Sequence, residues 1–364
     1  MSLKCGIVGL PNVGKSMLFN ILTKSNVPSK NFPFCTIEPN IGISVVEDYR
    51  IDKIAKIVKS KNIIKSYIKC VDIAGLIKNS YLGDGLGNKF LENIKNVDVI
   101  LHVVRFFKEE NIIHVNNKVD PVYDVDLVNT ELILSDYQNC KKYIKCYEEK
   151  IKKKKLEKSD NLFEIFDVLN LCLKNLKKNI MLNNVVFSKK QKNIVKIFNF
   201  ITNKPVLYIA NISIKDFVFL KIKNKIFNKL INFPYKIFPI CINFNKISLF
   251  KNNINYDTML KFFLKDINKI IYLAFNLLNM QTFFTVGDKE IRAWIVKKGI
   301  TAIDASNIIH TDFKKGFIRA RVISYKDFLF YKSIKMVKKF GKYRLEGKNY
   351  ILSDGDIIYF LFNV

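Results

Sequence analysis

The sequence predicts an α/β fold in which a doubly wound, mainly parallel sheet is followed by a smaller α+β module. A short apolar run at residues 3–8 leads into the glycine-rich string GLPNVGKS, and a helical pattern follows it. Further strand-like runs alternate with helical stretches, as a parallel sheet with crossover helices requires. From about residue 280 strand patterns dominate, which marks the second module.

The main sheet continues beyond the glycine-rich loop and is interrupted once. Alternation stops near Asn129, and from there to about residue 199 Lys, Glu, Leu and Ile recur at helical spacing. This pattern predicts an inserted helical hairpin of coiled-coil-like character. Its lysine run at 152–155 is typical of a solvent-facing helix, and contact with a phosphate backbone is the alternative. The further predicted strands are 67–71, 99–104, 206–210 and 236–241.

The terminal module contains the strand-like runs QTFFTV, EIRAWIV, FIRARVI and IIYFLFNV, with turns that contain Gly and Asp between them. Strands dominate it, and one helical segment is predicted near residues 305–309. The predicted domains are the first part of the main domain at 1–129, the helical insert at 130–199, the second part of the main domain at 200–279 and the terminal module at 280–364.

Composition indicates a globular protein. The length of 364 residues predicts two or three domains, and 49% of the residues are hydrophobic against 26% charged. Since no apolar run reaches the roughly 18 residues of a membrane-spanning helix and no secretory pattern opens the chain, we expect no membrane contact. Seven cysteines without a CxxC pair predict reduced thiols and a cytoplasmic location.

The charge balance is strongly basic, with a net charge of +29 and a pI near 9.7. Such a charge attracts polyanions, and the attraction weakens as salt increases. Lys, Asn, Ile and Phe are also the residues that AT-rich codons favour. Coding drift is therefore an equal explanation of the excess.

The string from Gly9 to Ser16 fits the pattern GxxxxGK[ST] between a strand and a helix, which predicts a P-loop. Its glycines let successive backbone N–H groups curl around phosphate oxygens, and the helix N-terminus favours the anion. Lys15 is expected to reach the β- and γ-phosphates, and the Ser16 hydroxyl to ligate Mg²⁺. The predicted phosphate-binding residues are Asn12, Val13, Gly14, Lys15, Ser16 and Met17.

Two further segments fit a nucleotide switch. Asp72-Ile73-Ala74-Gly75 follows a predicted strand, so Asp72 can hold Mg²⁺ through water and the Gly75 N–H can sense a γ-phosphate. Between the loop and that strand, Thr36 is the candidate second protein ligand of the metal. Loss of the γ-phosphate would release both segments.

The strings CGIVGLPNVGKS, NFPFCTIEP, VDIAGL, GLGNKFL, NIIHV, IHTDFKKGFIRA and DGDIIYFLFNV resemble the YchF family of Obg-like ATPases over the whole chain. The resemblance implies a P-loop nucleoside triphosphatase that depends on Mg²⁺, prefers ATP over GTP and associates with ribosomes. It also implies that the terminal module is a β-grasp (TGS) domain. Met17 stands where the family usually has Thr, and its backbone N–H still serves the phosphate.

Base recognition is expected at Asn211-Ile212-Ser213-Ile214, which corresponds to the NKxD string of GTPases. An apolar Ile214 leaves guanine's donors unpaired at a cost of about 1–3 kcal/mol, whereas the Asn211 amide can meet adenine. The family typically has Glu at this last position, so the departure bears on the choice of base. Two alternatives stay open: Asp216 restores a carboxylate by a loop shift, or Asn211 only caps a turn.

The residue after the DxxG string is Leu76, which cannot orient water as a glutamine does, so slow hydrolysis is expected. Among the histidines, His102 lies in an apolar strand and is interpreted as a packed side chain, while His310 belongs to the terminal module. The resemblance suggests His114 as the catalytic, water-positioning residue. Lys15 and Mg²⁺ supply most of the transition-state charge stabilisation.

The leading functional prediction is a nucleotide-gated ribosome-binding ATPase whose ATP and ADP forms differ in affinity for the ribosome, expected at the large subunit. The alternatives are a GTP-specific regulatory GTPase, and an RNA- or ribosome-binding stress scaffold in which hydrolysis is incidental or lost. RNA contact is expected from basic and aromatic residues that interleave in the terminal module, although the aromatics also suit a core. These residues are Arg292, Trp294, Phe313, Lys315, Phe317, Arg319 and Arg321.

Overall fold

The computed structural model describes residues 3–24, 40–60, 62–73, 86–109, 119–153, 160–223, 228–244, 256–287 and 289–363. Two sheets organise these residues, one for each predicted module. Within the described ranges, no helix combines the length and the apolar character that a bilayer span requires.

The first sheet consists of the strands β1 (Lys4–Val8), β2 (Ile41–Val45), β4 (Tyr67–Asp72), β5 (Val99–Arg105), β6 (Val206–Asn211) and β7 (Ile237–Ile240). Their order across the sheet is β2-β4-β1-β5-β6-β7. All neighbouring strands are parallel except β2, which pairs with β4 in antiparallel register from Ile41 opposite Val71 to Val45 opposite Tyr67. The predicted parallel sheet is therefore confirmed, and β2 is a strand that the sequence pattern did not reveal.

Helices cover this sheet and bury its largely apolar strands. Every residue of β5 is buried, as expected for a central parallel strand with both faces covered. The helices of this part of the chain are α1 (Lys15–Lys24), α2 (Tyr49–Val58), α3 (Leu86–Lys95), α7 (Ile214–Lys223), α8 (Asn228–Ile231) and α9 (Tyr256–Leu277). Of these, α2 packs against the second sheet instead.

The helical insert consists of α4 (Pro121–Lys153) and α5 (Asp160–Lys177), followed by α6 (Lys189–Ile197). Apolar side chains of α4 and α5 belong to the same core cluster as the first sheet. The Asp136 carboxylate of α4 accepts hydrogen bonds from the Thr202 N–H and hydroxyl, both at 2.7 Å, and so ties the insert to the chain entering β6. The helical hairpin is confirmed, but α4 begins upstream of residue 130, and the four domain bounds stay a prediction.

The second sheet and its helices comprise β3 (Asn62–Ile64), β8 (Met280–Val286), β9 (Glu290–Lys297), α10 (Ala302–Ile309), α11 (Thr311–Lys315), β10 (Phe317–Ile323), α12 (Tyr325–Tyr331), α13 (Ile334–Lys339), β11 (Arg344–Glu346) and β12 (Ile357–Phe362). The strand order is β11-β10-β12-β8-β9-β3. The prediction of a single helical segment in this module is wrong, because short helices also follow β10 and cover one face of the sheet. Ser324 and Ser333 cap two of them by accepting hydrogen bonds from Asp327 N and Met336 N.

Residues 46–66, which connect β2 to β4 in the first sheet, are built into the second one. Here β3 pairs in parallel with β9, and α2 buries Ile51 and Ile54 against the apolar cluster of the second sheet. The sequence pattern assigned this segment only to the main domain. A segment of the first module therefore contributes to the apolar core of the second, and we call residues 46–66 the bridging segment.

Candidate nucleotide-binding site

The glycine-rich loop connects β1 to α1, and its backbone conformation includes positive φ values that favour glycine and asparagine. Gly9 and Gly14 have φ values of 149° and 103°, and Asn12 has a φ of 60°. A Cβ on Gly9 would lie 2.5 Å from the Val103 carbonyl oxygen. Positive φ values of this kind allow neighbouring N–H groups to face one side, which is the arrangement that binds phosphate.

Lys15, the first residue of α1, is 9% exposed, and its Nζ donates a hydrogen bond to the Leu10 carbonyl at 2.7 Å. Burial lowers the pKa of Lys15 to about 8, and the nearby Asp72 carboxylate partly opposes this shift. Asp72 ends β4 and Lys15 begins α1, so the two predicted site residues come together from a strand and a helix. A partly desolvated ammonium beside a cradle of N–H groups gains strongly from a bound anion.

Ser16 and Met17 are exposed at the start of α1, where backbone N–H groups have no partner within the helix. The Ser16 hydroxyl and the Asp72 carboxylate are hard oxygen donors of the kind that Mg²⁺ prefers, so these residues fit that ion. The described residues contain no group of three or more His, Cys, Asp or Glu side chains that could hold a metal by themselves.

Asn211, the last residue of β6, is 5% exposed and joins the P-loop to the segment after β7. Its Nδ2 donates to the Val13 carbonyl at 2.9 Å, and its Oδ1 accepts from the Ile242 N–H at 3.2 Å. A Cβ on Gly14 would lie 2.7 Å from the same Nδ2. The side chain thus does more than cap a turn, because it ties the P-loop to the segment that follows β7.

The segment after Asn211 begins α7 with a capping arrangement. The Ser213 hydroxyl donates to the Asp216 carboxylate at 2.8 Å, and the Asp216 N–H donates to the Ser213 hydroxyl at 3.2 Å. A loop shift that brings Asp216 to a base would break both bonds. Ile214, the predicted base-reading residue, is the first residue of α7 and has an apolar side chain.

His102 lies in β5 and is 2% exposed, 5.3 Å from the Tyr208 ring centroid. Burial lowers the pKa of His102 to about 3, and the Lys15 ammonium adds to this effect. The interpretation of His102 as a packed side chain is therefore confirmed. His310 lies in the terminal module, where its Nδ1 accepts a hydrogen bond from the Asp312 N–H.

Arg105, which ends β5 beside Asn211 of β6, was not recognised from the sequence. Its buried guanidinium donates to the carbonyls of Phe107 and Glu109, both at 3.2 Å, and lies 4.6 Å from the Phe107 ring centroid. It holds the start of the segment that leads towards residue 110. An arginine closing the apolar run VILHVVR was the available signal.

Thr36, Gly75, Leu76 and His114 lie outside the described residues, and their assigned roles stay predictions. Ile212 follows Asn211 as a buried residue. Within the described part, the structure brings several predicted residues together around the P-loop, namely Asn12, Val13, Gly14, Lys15, Asp72 and Asn211.

A P-loop between β1 and α1, with an acidic residue at the end of the neighbouring strand, defines a P-loop nucleoside triphosphatase. The family model described as "50S ribosome-binding GTPase" matches residues 4–136. The YchF-GTPase C-terminal family, described as a protein of unknown function, matches residues 280–363.

Curated relatives and a solved structure show which family of P-loop nucleoside triphosphatases the chain belongs to. "Ribosome-binding ATPase YchF" of Buchnera aphidicola from Acyrthosiphon pisum is 47% identical over 100% of both chains. The protein of the same name from Escherichia coli O157:H7 is 43% identical, also over 100% of both chains. The solved structure of the Schizosaccharomyces pombe YchF GTPase superposes with a TM-score of 0.83 at 31% identity and covers 99% of this chain and 98% of its own. The chain belongs to the YchF family.

Proposed function

We propose that the protein is a Mg²⁺-dependent ATP hydrolase that binds the ribosome in a nucleotide-gated manner. The observation that carries the proposal is the P-loop itself, with the buried Lys15 ammonium beside a loop of positive φ values and close to Asp72. Two relatives that match this chain over the whole of both chains have names that state both ribosome binding and ATPase activity.

The residues present suit the three requirements of phosphoryl transfer, which are binding of the triphosphate, binding of the metal ion and stabilisation of the developing charge. The N–H groups from Asn12 to Met17 and the Lys15 ammonium bind and orient the triphosphate. Ser16 and Asp72 would hold Mg²⁺, with Thr36 proposed as a further ligand, and the ion would neutralise charge that develops on the phosphate oxygens. These groups lower the barrier by electrostatic stabilisation and by positioning.

His114 is proposed to position the attacking water and Gly75 to sense the γ-phosphate. Since Leu76 has no polar group at the position where many GTPases have glutamine, hydrolysis in the absence of the ribosome is expected to be slow. Nucleotide state would then control the affinity for the ribosome, proposed at the large subunit in the cytoplasm.

The choice of ATP follows from the polar groups at the base end of the site. An amide nitrogen carries two N–H donors, and one of those on Asn211 already engages Val13. The second is suited to adenine N7, while Ile214 offers nothing to the donors of guanine. The S. pombe relative is named a GTPase, which keeps GTP as the second candidate substrate.

The test is a set of dissociation constants for fluorescent ATP and GTP analogues with Mg²⁺, together with phosphate release. We expect ATP to bind more tightly, Ile214→Asp to move the preference towards GTP, and Ile214→Leu to leave it unchanged. Lys15→Ala should abolish phosphate release and the difference between ATP and ADP in co-sedimentation with ribosomes.

A tenfold preference for GTP in the native chain would contradict the base assignment and favour a regulatory GTPase. Ribosome co-sedimentation that is identical in the parent and in Lys15→Ala, with no phosphate release by either, would favour the scaffold alternative.

A further inference from the structure

A cavity of about 210 Å³ lies where the end of the bridging segment meets β9 and α10. Its lining comes from both modules and includes Leu3, Lys65, Ser66, Arg292, Trp294 and Ile308, and we call it the joint cavity. Because Leu3 precedes β1 and Ser66 precedes β4, the cavity lies at the amino ends of these two strands. The P-loop and Asp72 lie at their carboxyl ends, about 16 Å away along the strands. The joint cavity is therefore separate from the nucleotide-binding site.

The Ser66 hydroxyl is a polar group that the fold leaves unsatisfied in the joint cavity. Ser66 is 7% exposed, and among the described residues no hydrogen-bond partner reaches its Oγ. Its backbone carbonyl, in contrast, accepts a hydrogen bond from the Val46 N–H at 2.9 Å. A buried hydroxyl without a partner is costly, and a ligand atom that accepts its hydrogen bond removes that cost. The hydroxyl therefore points to a ligand with an acceptor atom.

Arg292 supplies a positive charge to the same cavity. It lies on β9 opposite Ile64 of β3, and its guanidinium carbon lies 4.1 Å from the Trp294 ring centroid. Within the part of the chain that the structure describes, no carboxylate lies within ion-pair distance of this guanidinium. Lys65 also lines the cavity, but its Nζ is paired with Glu47 at 2.7 Å. The charge of Arg292 is thus available to a ligand, and stacking on the indole orients its planar set of donors.

Trp294 forms an aromatic wall of the joint cavity whose orientation is fixed. Its Nε1 donates to the Thr285 hydroxyl at 2.9 Å, and its ring stacks with Phe283 at a centroid distance of 6.4 Å. Since the indole N–H is already satisfied, the ring offers the cavity apolar surface. Phe317, which the sequence grouped with Trp294, is 6% exposed in the same apolar cluster. For Phe317 the interpretation as a core residue is confirmed.

The size and the lining of the joint cavity limit what it can bind. A cavity of about 150 Å³ holds benzene, so a volume of about 210 Å³ has room for one ring or one branched chain with a short acidic group. Leu3 and Ile308 add to the apolar surface of Trp294. A nucleoside triphosphate, with its base, sugar and three phosphate groups, is larger than this volume.

We propose that the joint cavity binds a small organic monocarboxylate. The carboxylate accepts two parallel N–H donors from Arg292 and a further hydrogen bond from the Ser66 hydroxyl. The ring or branched chain of the ligand lies against Leu3, Trp294 and Ile308. Because the lining comes from both modules, the ligand binds only where the two are in contact, and its binding stabilises that contact.

The test is a titration of the full-length protein with phenylacetate, which has one ring and one carboxylate. Trp294 is the single tryptophan of the chain, so intrinsic tryptophan fluorescence reports directly on the wall of the cavity. Equilibrium dialysis of radiolabelled phenylacetate gives the dissociation constant without use of the indole. We expect saturable binding at one site, and binding at least about tenfold weaker for the neutral isostere phenylacetamide, which cannot form the charged pair.

Two variants and a matched control locate the site. Arg292→Met should weaken phenylacetate binding in dialysis at least about tenfold, because the charged pair is lost. Ser66→Ala should weaken it about three- to tenfold. The urea midpoint of Ser66→Ala should not decrease, because the hydroxyl has no partner among the described residues. Arg321→Met removes an arginine that does not line the cavity and should leave binding unchanged.

Four results would overturn the proposal. They are the absence of saturable binding by both phenylacetate and 4-methylpentanoate, equal affinities for phenylacetate and phenylacetamide, unchanged binding in Ser66→Ala, and equal losses in Arg321→Met and Arg292→Met. The last result would mean that the net charge of +29 alone attracts the anion. Competitive displacement by ATP with Mg²⁺ would place phenylacetate at the P-loop and also contradict the proposal. Tighter binding of the peptide N-acetyl-Gly-Gly-Phe than of phenylacetate would replace the small molecule by the carboxyl end of a polypeptide. None of these measurements depends on hydrolysis or on the ribosome, so their outcome is independent of the proposed function.

Discussion

The P-loop and the joint between the two sheets are each held by one polar side chain that connects distant parts of the chain, but the two connections differ in kind. Asn211 is almost fully buried and uses neutral hydrogen bonds to Val13 and Ile242. Arg50 lies at the edge of the joint and forms ion pairs with Asp48 at 2.7 Å and with Asp354 at 2.9 Å.

Because of this difference, the geometry of the P-loop should be insensitive to solution conditions, whereas the joint between the two sheets should respond to them. Neutral hydrogen bonds in a dry site change little with salt or pH, so the loop keeps its geometry whatever the ionic strength. A partly exposed ion pair is screened by salt, and the joint then depends on the apolar cluster beneath it. We therefore expect that the two places can be weakened separately.

Gly14→Ala is expected to have the largest effect, because the new Cβ meets Asn211 Nδ2 and the backbone has a positive φ. We expect loss of measurable ATP binding and a decrease of roughly 2–4 kcal/mol in the free energy of unfolding. Titration calorimetry and urea denaturation measure the two effects. Gly347→Ala is the control, since a Cβ there meets no atom within 4 Å. Normal ATP affinity in Gly14→Ala would show that the loop does not need the tie.

The exclusion of water from β5, the strand that contains His102, can be tested through the titration of that side chain. Its folded-state pKa of about 3 lies below the ordinary value, so the unfolded chain takes up a proton as pH falls through about 6.5 while the folded protein does not. Stability from this group is therefore complete above pH 6.5 and decreases below it by about 1.4 kcal/mol per pH unit.

His102→Gln should remove that contribution. Urea denaturation of both proteins between pH 7 and pH 5 gives the difference in free energy of unfolding, in which other titrating groups cancel. The parent should lose stability relative to the variant as pH falls. Parallel pH profiles would mean that water reaches the imidazole in the folded state.

Arg50→Met should weaken the joint and leave the P-loop intact. We expect a loss of about 1–2 kcal/mol in the free energy of unfolding at low salt and a smaller loss in 0.5 M salt, because screening already weakens the ion pairs of the parent. The dissociation constant for ATP should not change. Lys53→Met, an exposed position on the same helix, is the control. A changed ATP affinity in Arg50→Met would show that the two places are coupled.

The smallest effect is expected for Asp216→Asn, which weakens the cap of α7. The free energy of unfolding should fall by about 1 kcal/mol or less, and the ratio of ATP to GTP affinities should stay the same. A lower affinity for GTP alone would revive the alternative in which the Asp216 carboxylate reads the base.

The sequence was sufficient where the signal is local. The P-loop is a contiguous string, and the strands of the first sheet other than β2 are apolar runs, so both followed from pattern alone. The cap signals Ser324 and Ser333 were present in the sequence, but helices as short as α12 and α13 carry little periodicity. That region was therefore predicted as strands and turns.

What the sequence did not reveal depends on contacts between distant residues. The pairing of Asn62 with Glu290, or of Asn211 with Val13, leaves no trace in either segment by itself. The register that brings Arg321 beside Tyr359 is of the same kind.

The bridging segment has a consequence for the order in which the protein folds as it is synthesised. Ile51 and Ile54 leave the ribosome early, yet their cover includes Phe284 and Ile291, which are translated much later. At about 5–20 residues per second, that apolar surface waits on the order of tens of seconds for its partners. An apolar surface of the first domain therefore stays uncovered during synthesis until the C-terminal strands are made and pack against it.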